Sequence, residues 1–149
     1  MVRLRLVLEP SPTQYAVEEE VPVRVLLVND GDDAVTVIDR FAVSSEGGAG
    51  ELSFTVVDPL GERLPFGARV NLGRAGANDV ATIPPTGFVG TTIDLIDYFD
   101  LSEPGTYRVS ATYRAAVGGP DDGDDDTRGV PAETWTGTVE SDEVSIELR

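Results

Sequence analysis

The chain has 149 residues and a mean hydropathy of −0.08, which suits one ordinary domain that buries roughly two-thirds of its unfolded surface. It has no cysteine and no histidine, which excludes disulfides, thiolate or imidazole metal sites and Cys or His catalysis. The 11 basic residues are all arginine, against 27 Asp and Glu, for a net charge of −16. Such a balance repels phosphate backbones, so it argues against nucleic-acid binding and against docking on an anionic membrane. No apolar run approaches the roughly eighteen residues of a membrane-spanning helix, so no membrane insertion is expected. After Arg3 and Arg5, the residues Glu9, Pro10 and Pro12 interrupt any signal-peptide stretch. A cytoplasmic location is the default reading, and a surface one if the chain is part of something longer. Abundant Asp and Arg without lysine also resembles the style of salt-adapted proteomes, whose acidic surfaces rely on screening.

Apolar residues recur with period two, punctuated by Gly, Pro, Asn and Asp, and nowhere with a sustained helical period. Leu4, Leu6 and Leu8 mark a first strand that ends at Pro10 and Pro12. Val21, Val23, Val25 and Leu27 share one face of a second. Asn29-Asp30-Gly31-Asp32-Asp33 reads as a hairpin turn, with Ala34 to Phe41 as the partner strand. Val35, Val37 and Ile38 leave the inward face of that partner undecided. Ser44 to Gly50 is a small-residue loop, after which Leu52, Phe54 and Val56 alternate with Ser53, Thr55 and Val57. Asp58-Pro59-Leu60-Gly61 is a turn, and Leu64 to Phe66 is placed to pair back across it. Gly67 to Asp79 reads as an irregular crossover. A strand with Ile93 and Leu95 inward follows Pro84-Pro85-Thr86-Gly87. Tyr107, Val109, Ala111 and Tyr113 line the next one. An acidic, mobile loop from Gly118 to Glu133 precedes the last segment, which runs from Trp135 to Val139 and resumes at Val144, Ile146 and Leu148. Seven or eight such strands, each with one apolar face, predict an all-β antiparallel sandwich forming a single domain over 1–149.

Leu101-Ser102-Glu103-Pro104-Gly105-Thr106-Tyr107-Arg108-Val109 carries the most specific signal. It resembles the tyrosine corner of immunoglobulin-like and fibronectin type III domains, in which the hydroxyl bonds backward to the main chain. The resemblance implies that Tyr107 opens the penultimate strand and that Val109 stands where antibody domains carry their second cysteine. The chain lacks both cysteines and the core tryptophan of antibody domains, which implies a core held by apolar packing alone. The wider order of strands and turns over about residues 18 to 148 is similar to prokaryotic immunoglobulin-like modules, including the intracellular proteinase inhibitor family. That likeness implies a protease-facing loop, at Gly67 to Asp79 or at Gly118 to Glu133.

Two carboxylate groups could bear chemistry. Asp122, Asp124 and Asp126 have the alternate spacing of a calcium loop, and Glu133 lies where such a loop places its bidentate ligand. Thr127 stands where that loop wants Gly, Gly129 where it wants an aliphatic residue, and no helices flank it; the other reading is a solvated loop. Asp94, Asp97 and Asp100 would share a face if their segment turned helically, as a cation site or an acid/base pair. Their other reading is a capped turn with Ile96, Tyr98 or Phe99 plugging the end of the sandwich.

Serine nucleophiles lack any His or Lys base, so Ser44-Ser45-Glu46-Gly47-Gly48 reads as a loop. Gly73-Arg74-Ala75-Gly76-Ala77 lacks the lysine of a nucleotide-binding loop. Trp135 is expected to rest against a sheet edge. The sequence therefore predicts a protein without enzymatic activity and without a cofactor, calcium apart. Its partner would be another protein or a second copy, as in a surface or virion assembly. The blunt final segment Val144 to Leu148 offers an edge for strand addition, with Glu143 and Glu147 discouraging it.

Overall fold

The computed structural model describes residues 3–10, 14–17, 19–45, 50–67, 78–115 and 134–149. Its strands are β1 (Leu4–Pro10), β2 (Gln14–Tyr15), β3 (Pro22–Asn29), β4 (Val35–Ile38), β5 (Leu52–Val57), β6 (Val80–Ile83), β7 (Phe88–Asp94), β8 (Gly105–Ala115), β9 (Gly137–Glu140) and β10 (Val144–Leu148). One sheet has the order β1-β3-β7; the other has the order β2-β10-β8-β5, with β9 also on β8. β4 and β6 form a separate two-stranded ribbon. β1, β3 and β7 lie in one layer, and β5, β8 and β9 with β10 in the other, in immunoglobulin-like fashion, without a disulfide. β9 and β10 run along the same side of β8 as one strand interrupted by a bulge: Ser141, Asp142 and Glu143 stand opposite Ser110 and Ala111. The Ser141 hydroxyl accepts the Ala111 N–H across that bulge at 2.9 Å.

The alternation read from the sequence becomes the core. Val21, Val23, Val25 and Leu27 face Leu52, Phe54, Val56, Tyr107, Val109 and Ile146 in one buried cluster. Val35 and Val37 turn inward, and Ile38 is buried as well. Phe99 plugs the end of the sandwich as expected, joined by Leu95 and Leu101, with Phe66 edge-on to its ring at 5.8 Å.

The tyrosine corner is present: the Tyr107 hydroxyl donates to the Glu103 carbonyl at 2.7 Å. Gly105 makes the corner possible, with φ at +137° and a Cβ there only 2.5 Å from Pro59. Tyr15 and Tyr113 also place their hydroxyls on main-chain carbonyls, those of Pro22 and Ile38.

Asp30-Gly31 does not make a hairpin between paired strands. β3 is the middle strand of its sheet, already bonded on both sides to β1 and β7, so the chain leaves the layer and β4 pairs with β6 instead. Asn29 directs that exit. Its side chain is fully buried and donates to the carbonyls of Asp33 (2.8 Å) and Ile83 (2.9 Å), while its Oδ1 accepts from Gly31 N–H (2.9 Å). Its main chain bonds Thr86 and Gly87, so one residue joins β3, β4, β6 and the turn into β7. That turn has Pro85 at its second position and Thr86 at φ +66°, closed by Gly87 N–H on the Pro84 carbonyl. Asn29→Ala leaves these groups without partners and is expected to cost roughly 2–3 kcal/mol in urea unfolding; a loss under about 0.5 kcal/mol would remove Asn29 from this role.

Candidate functional site

Of the carboxylates singled out in the described residues, Asp94 and Asp100 have architectural tasks. Asp94 ends β7 and caps the following single turn of 3-10 helix (Leu95–Asp97). Its Oδ1 accepts from Val21 N–H at 2.8 Å and from Ile96 N–H at 3.3 Å, which ties the turn to the start of β3. Asp100 accepts from Ser102 N–H at 3.2 Å, and Asp97 is exposed. The helical face that would have gathered Asp94, Asp97 and Asp100 does not form, because the segment makes only one tight turn before Phe99 enters the core. Among the described residues, no group of three or more acidic side chains is placed to hold a metal ion. Asp122, Asp124, Asp126 and Glu133 lie outside the described residues, as do most of Gly67 to Asp79 and all of the loop from Gly118 to Glu133.

Glu51 is the buried acid. Both its oxygens accept from Arg40 Nε at 2.9 and 3.0 Å, and one also meets Arg40 Nη2 at 2.8 Å. A further bond from Ala42 N–H completes its coordination, so the pair pins the segment before β5 against the sheet. Nearby, Tyr113 packs against Phe41 and Trp135 with centroids at 5.8 and 6.0 Å. Trp135 is half-buried there, as expected of a ring resting on a sheet, and its main-chain N–H donates to the Thr36 carbonyl. Ser44 is also structural: its hydroxyl accepts from Gly50 N–H and donates to the Ser45 carbonyl.

Among the described residues several strand sides lack a strand partner, and the longest uncharged one is on β7. β10 is flanked by β8 on one side and by β2, running parallel to it at Glu147 and Leu148, on the other. The Arg149 N–H and carbonyl continue that contact to Tyr15 and Val17. β5 has its outer side occupied by Ala42 and Ser44 at one end and by Leu64 at the other. β1 meets Ser141 through a parallel bridge at Leu6. β7 ends its sheet. Asn29 N–H on the Gly87 carbonyl and Leu95 N–H on the Val21 carbonyl fix which residues bond β3: Val89, Thr91 and Ile93. The N–H and C=O groups of Phe88, Gly90 and Thr92 therefore point away from the sheet, and no bond among the described residues meets them. Phe88 is 56% exposed, and Phe88 to Ile93 carries no charge and no proline. Gly90 lets β7 lie close on β3, since a Cβ there would come within 2.4 Å of the Val25 carbonyl oxygen. The sequence signal for this edge was the turn Pro84 to Gly87 followed by an uncharged alternating run.

No protein-family model matches the chain, and no curated protein matches it in sequence. Among solved structures it is similar to the CARDB domain of the PF1109 protein from Pyrococcus furiosus, which was determined in complex with di-metal ions. The identity is 13% and the TM-score 0.42, with 99% of this chain and 93% of that chain covered. No helix among the described residues is long and apolar enough to cross a membrane.

Two measurements test this assignment of tasks. Asp94→Ala should cost about 1 kcal/mol of unfolding free energy through loss of the cap, whereas Asp97→Asn should change it by less than about 0.5 kcal/mol; equal losses would contradict it. Burial pushes the hydroxyls of Tyr113 and Tyr107 above the ordinary phenol range. The unfolded chain ionises near pH 10, so it binds fewer protons than the folded one above that point. Stability is then complete below about pH 10 and falls as pH rises beyond it. Tyr113→Phe should flatten that fall in urea titrations across the alkaline range; an unchanged slope would count against it.

Proposed function

We propose that this domain is a non-catalytic interaction module that receives an extended strand along the open side of β7. The observation that carries the reading is the row of outward main-chain groups at Phe88, Gly90 and Thr92, beside an exposed aromatic ring. Such a row is a template for strand addition, in which main-chain bonds give affinity and alternate side chains give selectivity. Edges are ordinarily protected by charge, proline or a bulge. The run from Phe88 to Ile93 has none of these, in a chain where 26% of residues are charged. The described acids favour the same reading, since Asp58, Asp94, Asp100 and Glu51 serve turns, a cap and a buried pair. A partner protein and a homotypic assembly are both versions of it.

A labelled synthetic strand copying residues 87–94 is the probe. It should bind saturably by fluorescence anisotropy and slow amide exchange at Phe88, Gly90 and Thr92. Thr92→Pro in the protein removes one outward N–H and should weaken binding at least about tenfold, the equivalent of 1.4 kcal/mol. Absence of binding, or binding indifferent to Thr92→Pro, would overturn the proposal. A calcium-dependent rise in melting temperature that Asp124→Asn abolishes would instead favour the metal-binding alternative at Asp122, Asp124, Asp126 and Glu133.

A further inference from the structure

Resting on the edge reading above, we infer that the strand received by β7 belongs to another protein and is basic at both ends and uncharged over its middle. The outward main chain of Phe88, Gly90 and Thr92 accepts any extended strand equally, so selection comes from what borders it. Acids stand at both ends. Past Ile93 the chain continues into Asp94 and the exposed Asp97. Before Phe88 it meets the turn that follows β3. There the Asn29 N–H donates to the Gly87 carbonyl at 2.9 Å, and the Asn29 side chain donates to the Asp33 carbonyl at 2.8 Å. Those bonds tie the exposed Asp32 and Asp33 to that end of the edge. Between the two acidic ends, Phe88 to Ile93 carries no charge.

The spacing suits a single strand. Residues 87 to 94 cover about 23 Å at roughly 3.3 Å per residue, while the Debye length is about 10 Å at 0.1 M salt. Each acidic end therefore acts on the basic residue nearest to it. A charge in the middle of the strand would find no counter-charge on the neutral run and would lose hydration for nothing. The arginines of the same sheet stand back from the edge and are engaged. Arg5, on β1, is bonded to Asp30 at 2.9 Å, and Arg24, on β3, lies 3.7 Å from Glu9.

Charge also decides between kinds of partner. A chain of net charge −16 draws a cationic segment in at long range and repels an acidic one. A second copy is disfavoured twice. Its whole body carries the same charge, and antiparallel pairing of β7 with β7 would set the Asp94 end of each against the Asp32 end of the other.

The test uses the synthetic strand copying residues 87–94 with its two end positions both Lys, both Ser or both Glu, read by fluorescence anisotropy on the full chain. At about 0.1 M KCl the Lys-ended form should bind at least about tenfold tighter than the Glu-ended form, with the Ser-ended form between. At about 1 M KCl the three affinities should converge to within about threefold. Asp32→Asn combined with Asp97→Asn should lower the Lys-over-Glu ratio at low salt by at least about threefold. Glu140→Gln combined with Asp142→Asn removes the same charge from exposed positions on the other sheet and should leave that ratio nearly unchanged. Equal binding of the three forms, or tightest binding of the Glu-ended one, would overturn the basic partner while leaving the edge reading in place. A ratio lowered alike by both double variants would also overturn it, since the acids at the ends would then have no part of their own. Absence of binding by all three forms would overturn both readings.

Discussion

The buried amide of Asn29 is the constraint on which the rest of the arrangement depends. A cysteine-free sandwich has no covalent tie between layers, and its apolar residues alone fix burial more firmly than register. Asn29 supplies register through directional bonds. It ends β3, receives the start of β4, holds the end of β6 and sets the turn from which β7 departs. Because Asn29 bonds Gly87 through its main chain, the odd-numbered residues of β7 face β3 and the even-numbered ones face out. A slip of one residue would reverse the strand and carry Ile93 out of the core. The open edge is thus a consequence of the same bonds that stabilise the sheet.

The tyrosine corner performs the matching task on the other layer. Tyr107 anchors the start of β8, along which β5, β9 and β10 all pair. Tyr113 fastens the far end of that strand to the β4–β6 ribbon through Ile38, and Glu51 with Arg40 secures the approach to β5. These buried polar links are satisfied, and they favour one arrangement over the alternatives open to purely apolar packing. The acidic surface has a different consequence. With a net charge of −16, it makes like copies repel at low ionic strength, and added salt screens that repulsion.

The fold was largely legible because burial in a sandwich leaves a period-two trace. Val21 to Leu27, Leu52 to Val56 and Tyr107 to Tyr113 all bury the residues that the alternation selects. The corner was legible because Pro104, Gly105 and Tyr107 form a local device whose partner is only four residues away. Pairing was less legible. Asp30-Gly31 signals a hairpin by local turn chemistry, yet whether β3 has a free side for β4 depends on β1 and β7, which are distant in sequence. The same long-range fact decided the edges. At the edge of Val144 to Leu148, β2 lies beside Glu147 and Leu148 only, a pairing that local sequence does not show. β6 leaves no such trace, because its four residues lack strict alternation and only Ile83 is fully buried. Asp94, Asp97 and Asp100 show why acid spacing is a weak sign of chemistry: capping and turn formation ask for the same residue types.

The main-chain groups of Phe88, Gly90 and Thr92 point away from β3, while those of Val89, Thr91 and Ile93 are held by it. Residue-resolved amide exchange on the isolated chain at low salt tests it most directly. The account predicts near-intrinsic exchange at Phe88, Gly90 and Thr92, alternating with protection at Val89, Thr91 and Ile93. Protection at all six would show that β7 is already covered by the chain's own residues, and would contradict the account.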